Sequence, residues 1–277
     1  MQSNNPVFRR SEEFQRGGAN TYGNQTVTDP SQWSVGTPGG TGYAPATTGV
    51  MTIDSVVQKT AITLGVVIVT AMATWILTPD VTDESVAADL GPLFAAVTIG
   101  SLGAFALSMV NSFKRVISPG LVLAFAALEG VALGAISKVF NLAYPGVVTG
   151  AVIGTFGAFA GTLAAYKVLN IQVGDKFRRG VIAAVFGMVG ISVMALILSV
   201  FGIDLGIWGN GALGLLFAVA GLVLGIFMLI LDFDFVEQGI ANRIPERESW
   251  RAAFAMTVSL VWIYTNLLRL LAIFSDN

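Results

Sequence analysis

From about residue 51 onward the chain alternates long apolar runs with short polar breaks. Seven runs stand out, at 56–77, 90–112, 119–140, 145–169, 181–201, 211–230 and 250–274. At about 1.5 Å per helical residue, each is long enough to cross a hydrocarbon core of about 30 Å. The pattern predicts an all-α integral membrane bundle of seven transmembrane helices. Glycines four apart, at Gly150/Gly154, Gly157/Gly161 and Gly221/Gly225, predict places where helices approach closely. Residues 1 to about 50 break the pattern. They are rich in Gly, Ser, Thr, Asn, Gln and Pro, with no apolar period, and predict a disordered cytoplasmic tail. No apolar stretch of about 7 to 15 residues follows Arg9 and Arg10, so no signal peptide is expected. The division is therefore a tail, 1–50, and a transmembrane domain, 51–277.

Basic residues orient the bundle. Arg9, Arg10, Arg16 and Lys59 precede or open the first run, and Lys114 and Arg115 follow the second. Lys167, Lys176, Arg178 and Arg179 follow the fourth, and Arg243, Arg247 and Arg251 follow the sixth. Of the 15 Lys and Arg, only Lys138 and Arg269 fall elsewhere. The other side carries Asp80, Asp83, Glu84, Asp89 and Asp204. By the positive-inside rule the N-terminus is cytoplasmic and the C-terminus outside, and the expected location is the plasma membrane.

Several polar positions stand out against this apolar background. The sixth run leads straight into Asp232, Asp234 and Glu237, with Phe233, Phe235, Val236 and Ile240 between them. The helical period continues through the acids, which places them at or near membrane depth. Carboxylates there are costly unless paired, hydrated or bound to a cation, and so mark a functional site. Asp232 and Asp234, about 200° apart on a helix, cannot face one partner; Asp234 and Glu237 can share a face. Candidate partners are Lys114, Arg115, Arg243 or Arg247, or an inward site that includes Glu129. Glu129 lies ten residues past Pro119, about 15 Å deep, and is expected to be protonated or paired with a cation. In the last run, Asn266 and Arg269 can line a polar seam.

Composition narrows the chemistry. The chain is 54% hydrophobic and 12% charged, against roughly 25% charged for soluble domains. It has no Cys and no His. That removes disulfides, thiol nucleophiles and most zinc sites, and leaves carboxylates to sense pH near neutrality. Enzyme readings fail. H-E-x-x-H and Ser–His sites need His, and the nearest string to an aspartyl-protease G-x-G-D is Gln172-Val173-Gly174-Asp175. No phosphate-binding glycine loop is present. Neither a cofactor nor a nucleic-acid partner is expected.

The stretch LDFDFVEQGI (231–240), then Pro245, Glu246, Trp250 and AAFAMTVSLVWIYTNLLRLLA (252–272), resembles the bacterial branch of the Bax inhibitor 1-like family. NSFKRVISP (111–119) and LEGVALGAIS (128–137) agree. The resemblance implies a seven-helix membrane protein whose last helix is surrounded by the others. It also implies a pH-sensitive calcium leak, with lipid, calcium and protons as partners. The family's death-suppressing role in eukaryotes is not carried over. The family's two switch aspartates, carried onto this chain, fall on Asp232, with Asp234 as a close competitor, and on Ser259. Because Ser cannot titrate, either Asp234 or Glu237 supplies the second carboxylate, or the switch is weaker. The expected function is a calcium-permeable leak channel or proton-coupled carrier. Its gate is formed by Asp232, Asp234 and Glu237 as calcium ligands, with Glu129, Arg269, Asn266 and Arg115 on the ion path. The alternative is a non-transporting regulator acting through its tail and cytosolic loops.

Overall fold

A computed structural model describes residues 49–79 and 86–276. The tail expectation, and Asp80, Asp83 and Glu84, fall outside them. Among the described residues there is no strand, and seven helices are long and apolar enough to cross a membrane. They are α1 (Ile53–Leu77), α2 (Val86–Phe113), α3 (Pro119–Ala143), α4 (Val147–Val168), α5 (Asp175–Val200), α6 (Ala212–Ala241) and α7 (Ser249–Ser275). A single 3-10 turn, Glu246–Glu248, leads into α7.

Local sequence sets the ends. Thr52 caps α1 in a reciprocal capping box with Ser55, which satisfies orphan N–H groups. Pro119 opens α3, where its missing N–H and fixed φ suit the first turn. Asn170 and Arg243 have φ of 51° and close α4 and α6. Ile171 N–H reaches Tyr166 O at 3.2 Å and Ile244 N–H reaches Gly239 O at 3.1 Å, the six-to-one bonds of Schellman endings.

Two spans differ from the apolar pattern. α5 starts at Asp175, six residues before its apolar run, and α6 continues to Ala241, eleven past the expected edge at 230. Backbone hydrogen bonding does not stop where hydropathy falls, so polar turns extend a helix beyond the hydrocarbon.

The last helix is central, as the resemblance implies: α7 packs on α1, α3, α4 and α6. α2 rests mainly on α3, and α5 on α6. The turns that hold the basic residues meet at one end. There Met51 N–H donates to Ile244 O (2.9 Å) and Glu246 N–H to Gly49 O (2.6 Å). Lys59 pairs with Glu246 at 2.7 Å, Ser55 meets Ser249 at 2.7 Å, and Arg251 donates to Arg115 O at 3.0 Å. At the opposite end Lys138 caps α1 through Thr78 O at 2.7 Å, and Asn210 bonds Asp276 at 2.6 Å.

Glycine decides the closest contacts, because helices in lipid associate through packing rather than through water exclusion. A Cβ on Gly221 would strike the Asn266 side chain, and one on Gly225 the Ile263 side chain at 2.6 Å. Gly150 and Gly154 meet Leu271 and Leu267 of α7. Gly157 and Gly161, by contrast, have nothing within 4 Å of an added Cβ. The close packing expected there is absent: the contact of α4 with α7 runs through Gly150 and Gly154 and does not reach Gly157 and Gly161. The tightest pair was not singled out from sequence: Gly130 and Gly134 of α3 press on the backbone of Val67 and Ala71 in α1.

Candidate functional site

The acids of α6 are positioned by a stripe of small residues. Gly214, Ala218, Gly221, Gly225 and Leu229 are all buried, and their spacing of four and three keeps them on one helix face. Asp232 is the next position on that stripe, so it is carried into the seam with α7. There Ser259, 1% exposed, donates its hydroxyl to Asp232 Oδ2 at 2.6 Å. The seam continues along α7. Trp262 Nε1 donates to Gly221 O at 2.8 Å, and Asn266 Nδ2 to Trp262 O at 2.8 Å. Arg269 donates to Ile207 O and lies 5.2 Å over the Trp208 ring. Asn266 and Arg269 thus line one seam, with Arg269 held at the end near Ile207 and Trp208.

The other two acids leave the seam. Asp234, 7% exposed, accepts from Arg178 Nη2 of α5 and from Gln238 Nε2, each at 2.7 Å. Glu237 is exposed and accepts from the Tyr166 hydroxyl of α4 at 2.7 Å. Phe233, between the two aspartates, is buried against Phe159 and Tyr166, with ring centroids 5.6 and 5.8 Å away. The helical angles explain the divergence. Asp234 is about 200° from Asp232 and Glu237 about 140°, at 100° per residue, so the three point at α7, α5 and α4.

Asp232, Asp234 and Glu237 therefore do not converge into one ligand set. Among the described residues no three of Asp, Glu, His or Cys are grouped to hold a metal ion. The cation that neutralises Asp234 is Arg178, not Lys114, Arg115, Arg243 or Arg247. Arg115 is exposed, and Arg251 bonds its backbone carbonyl rather than its side chain reaching an acid. Sequence reasoning missed Arg178, Gln238 and Tyr166. Arg178 was visible only as one of several charges in a basic loop, and which helix packs beside α6 is a tertiary fact. Replacing Arg178 with Gln leaves Asp234 half-partnered. With Arg178 40% exposed, solvent screens the loss, and stability should fall by only about 1 kcal/mol. A melting temperature in detergent checks this; no change would remove the ion pair from the forces that dock α5.

Glu129 is half-buried, and no hydrogen bond to its carboxylate forms among the described residues. Its depth follows from the parallel register of α3 and α7. Phe125 stacks edge-on with Phe254 at 5.0 Å, and Ser137 meets the Tyr264 hydroxyl at 2.5 Å. Interpolation puts Glu129 level with Thr257, about two residues or about 3 Å along the axis from Ser259. Two acids from different helices, Glu129 and Asp232, thus lie within about one helical turn of each other in depth. Between the positions that face α3 (Phe254) and α6 (Ser259, Asn266), α7 presents Arg251, Ala255, Val258, Trp262, Thr265 and Arg269. All six are half-buried, as are Val261, Leu267, Leu270 and Leu271 further along the helix. Their four-and-three spacing places them on one helix face, which includes Trp262 and Arg269 of the seam.

A family model described as Bax inhibitor 1 like matches residues 5–276. The chain belongs to the Bax inhibitor 1-like family. No curated protein matches it. Membership agrees with the seven-helix bundle and fixes this as a multi-pass membrane protein. In this Bax inhibitor 1-like chain the α6–α7 contact joins a carboxylate to a hydroxyl, Asp232 to Ser259.

Proposed function

We propose that this protein is a pH-sensitive, calcium-permeable leak pathway of the plasma membrane, with its N-terminus cytoplasmic and its C-terminus outside. The observation that carries the reading is the Asp232–Ser259 hydrogen bond at the end of the glycine-lined α6–α7 seam. Arg178 is taken by Asp234, so among the described residues Asp232 has a hydroxyl partner and no cation. Protonated, it leaves the seam neutral and the two helices closely packed. Ionised, it places an uncompensated charge at membrane depth, which is lowered in energy by water or a passing cation. The sign follows: proton binding closes the seam, and flux rises with pH.

Hard carboxylate oxygens suit Ca2+. With the acids dispersed, the ion meets them singly: Asp232 and Glu129 at nearby depths, then Glu237 at the basic end. Weak, separate sites favour passage over retention. Among the described residues, ten of the chain's Lys and Arg stand in or beside the turns at the end where Glu237 emerges, which supports the cytoplasmic assignment of that end.

The test is calcium entry into dye-loaded liposomes that carry the purified full chain, from pH ~6 to ~8, beside empty liposomes. Flux above the empty control that grows with pH is expected. Flux equal to the control at every pH would discard the transport reading and leave a non-transporting regulator.

A further inference from the structure

Between α1 and α4 lies a slot of about 360 Å³. Its walls are Leu64, Val67, Ala71 and Trp75 of α1 and Val148 and Thr155 of α4. Its floor is Gly134 and Ser137 of α3 with Leu260 and Tyr264 of α7. Its rim is apolar and exposed: Ile68 45%, Met72 59%, Ile76 73%, Val152 40% and Phe156 51%. All these residues belong to membrane-spanning helices, so the mouth opens sideways into the bilayer.

The occupant follows by exclusion. Water needs two to four polar partners in a cavity, and the slot has few to offer. The Ser137 and Tyr264 hydroxyls are bonded to each other, Ser137 also to Leu133 O, and Thr155 to Ala151 O. A helix of a second copy is too wide. The slot follows α1 from Leu64 to Ile76, about 18 Å at 1.5 Å per residue. It thus offers a section of about 20 Å² to the centre of a water-sized sphere, or about 50 Å² once that sphere's radius of about 1.4 Å is added, against about 80 Å² for a helix 10 Å across. An empty apolar slot forfeits dispersion contacts on every wall. A narrow, flexible, wholly apolar occupant restores them.

We propose that the slot is a binding site for one acyl chain of a membrane phospholipid. The chain enters between α1 and α4, lies along α1 and rests on Leu260 and Tyr264 of α7. It then touches α7 on the residue next to Ser259, behind the α6–α7 seam. The site itself requires no particular transport activity.

The probe is phosphatidylcholine with a photoactivatable diazirine on one acyl chain, mixed into phosphatidylcholine vesicles that carry the full chain. Labelled residues are mapped by mass spectrometry. Label on the floor, at Gly134, Leu260 or Tyr264, is expected in addition to label on the rim. Label confined to rim residues such as Met72 and Phe156 would mean ordinary boundary lipid and overturn the proposal. Crosslinks between two protein chains through α1 and α4, with an unlabelled floor, would overturn it in favour of a second copy. Val152→Trp, which fills the mouth from the lipid side, should abolish floor label and keep rim label. If that variant does not fold, Val148→Phe, on the inner wall, serves the same purpose. Floor label that persists in a folded blocked variant would also overturn the proposal.

Discussion

Ser259→Asp should make calcium flux far more steeply dependent on pH and suppress it on the acid side of neutrality by at least about tenfold, the factor that about 1.4 kcal/mol represents. Ser259 Oγ lies 2.6 Å from Asp232 Oδ2, so an Asp at this position brings a second carboxylate against the first. Two carboxylates in contact cannot both ionise easily, and they titrate as a pair that shares a proton. The shared proton forms a strong O–H···O⁻ bond between α6 and α7, where the present chain has only a hydroxyl donor. Losing that proton puts two like charges together and drives the seam apart. In the present chain the serine hydroxyl serves the carboxylate in either protonation state, which predicts a shallower response. Flux in Ser259→Asp that tracks the unmodified protein at every pH, in a variant of normal thermal stability, would show that this contact does not gate anything.

The second large effect is structural. Gly130→Ala and Gly134→Ala should each lower stability by about 1–3 kcal/mol, the range for overpacking a filled contact. The added methyl meets backbone of α1 at Val67 or Ala71, and backbone cannot swing aside as a side chain can. α1 also carries Lys59, which holds Glu246 at 2.7 Å, and is preceded by Met51, whose N–H bonds Ile244 O. Displacing it loosens the end where the α6 acids emerge. Gly157→Ala and Gly161→Ala are the controls. With open space around them, they should be neutral or stabilising by up to about 1 kcal/mol through helix propensity. Melting temperatures of the four variants in one detergent decide the matter. Equal effects at all four positions would mean that glycine contacts do not set the bundle's packing.

The seven spans were legible because lipid demands long apolar runs, and the sequence has little else after residue 51. Their ends were less so, since Asp175 to Gly180 and Leu231 to Ala241 are helical without being apolar throughout. Helical geometry alone foretold that Asp232 and Asp234 would part. It could not say that α5 stands beside α6, and so could not choose Arg178 from the basic residues. Asp234 and Glu237 were expected to share a face. They lie about 60° apart and serve adjacent helices, a distinction that spacing does not resolve. Around Glu129 the charge drew attention away from its neighbours, although Gly130 and Gly134 make the closest helix contact described. Ser259 became visible only through family resemblance, because a serine within a span ordinarily bonds its own backbone.

The central claim is that proton binding at Asp232 closes the α6–α7 seam. Its most direct test is the pH profile of calcium flux in Asp232→Asn, from pH ~6 to ~8, beside the unmodified chain in the same liposomes. Asn keeps the shape and can still bond Ser259, but it cannot ionise. Flux through Asp232→Asn should be low and no longer rise with pH, while that of the unmodified chain rises. An Asp232→Asn profile with the same slope as the unmodified protein would contradict it and move the pH sensor to another group, with Glu129 the first to examine.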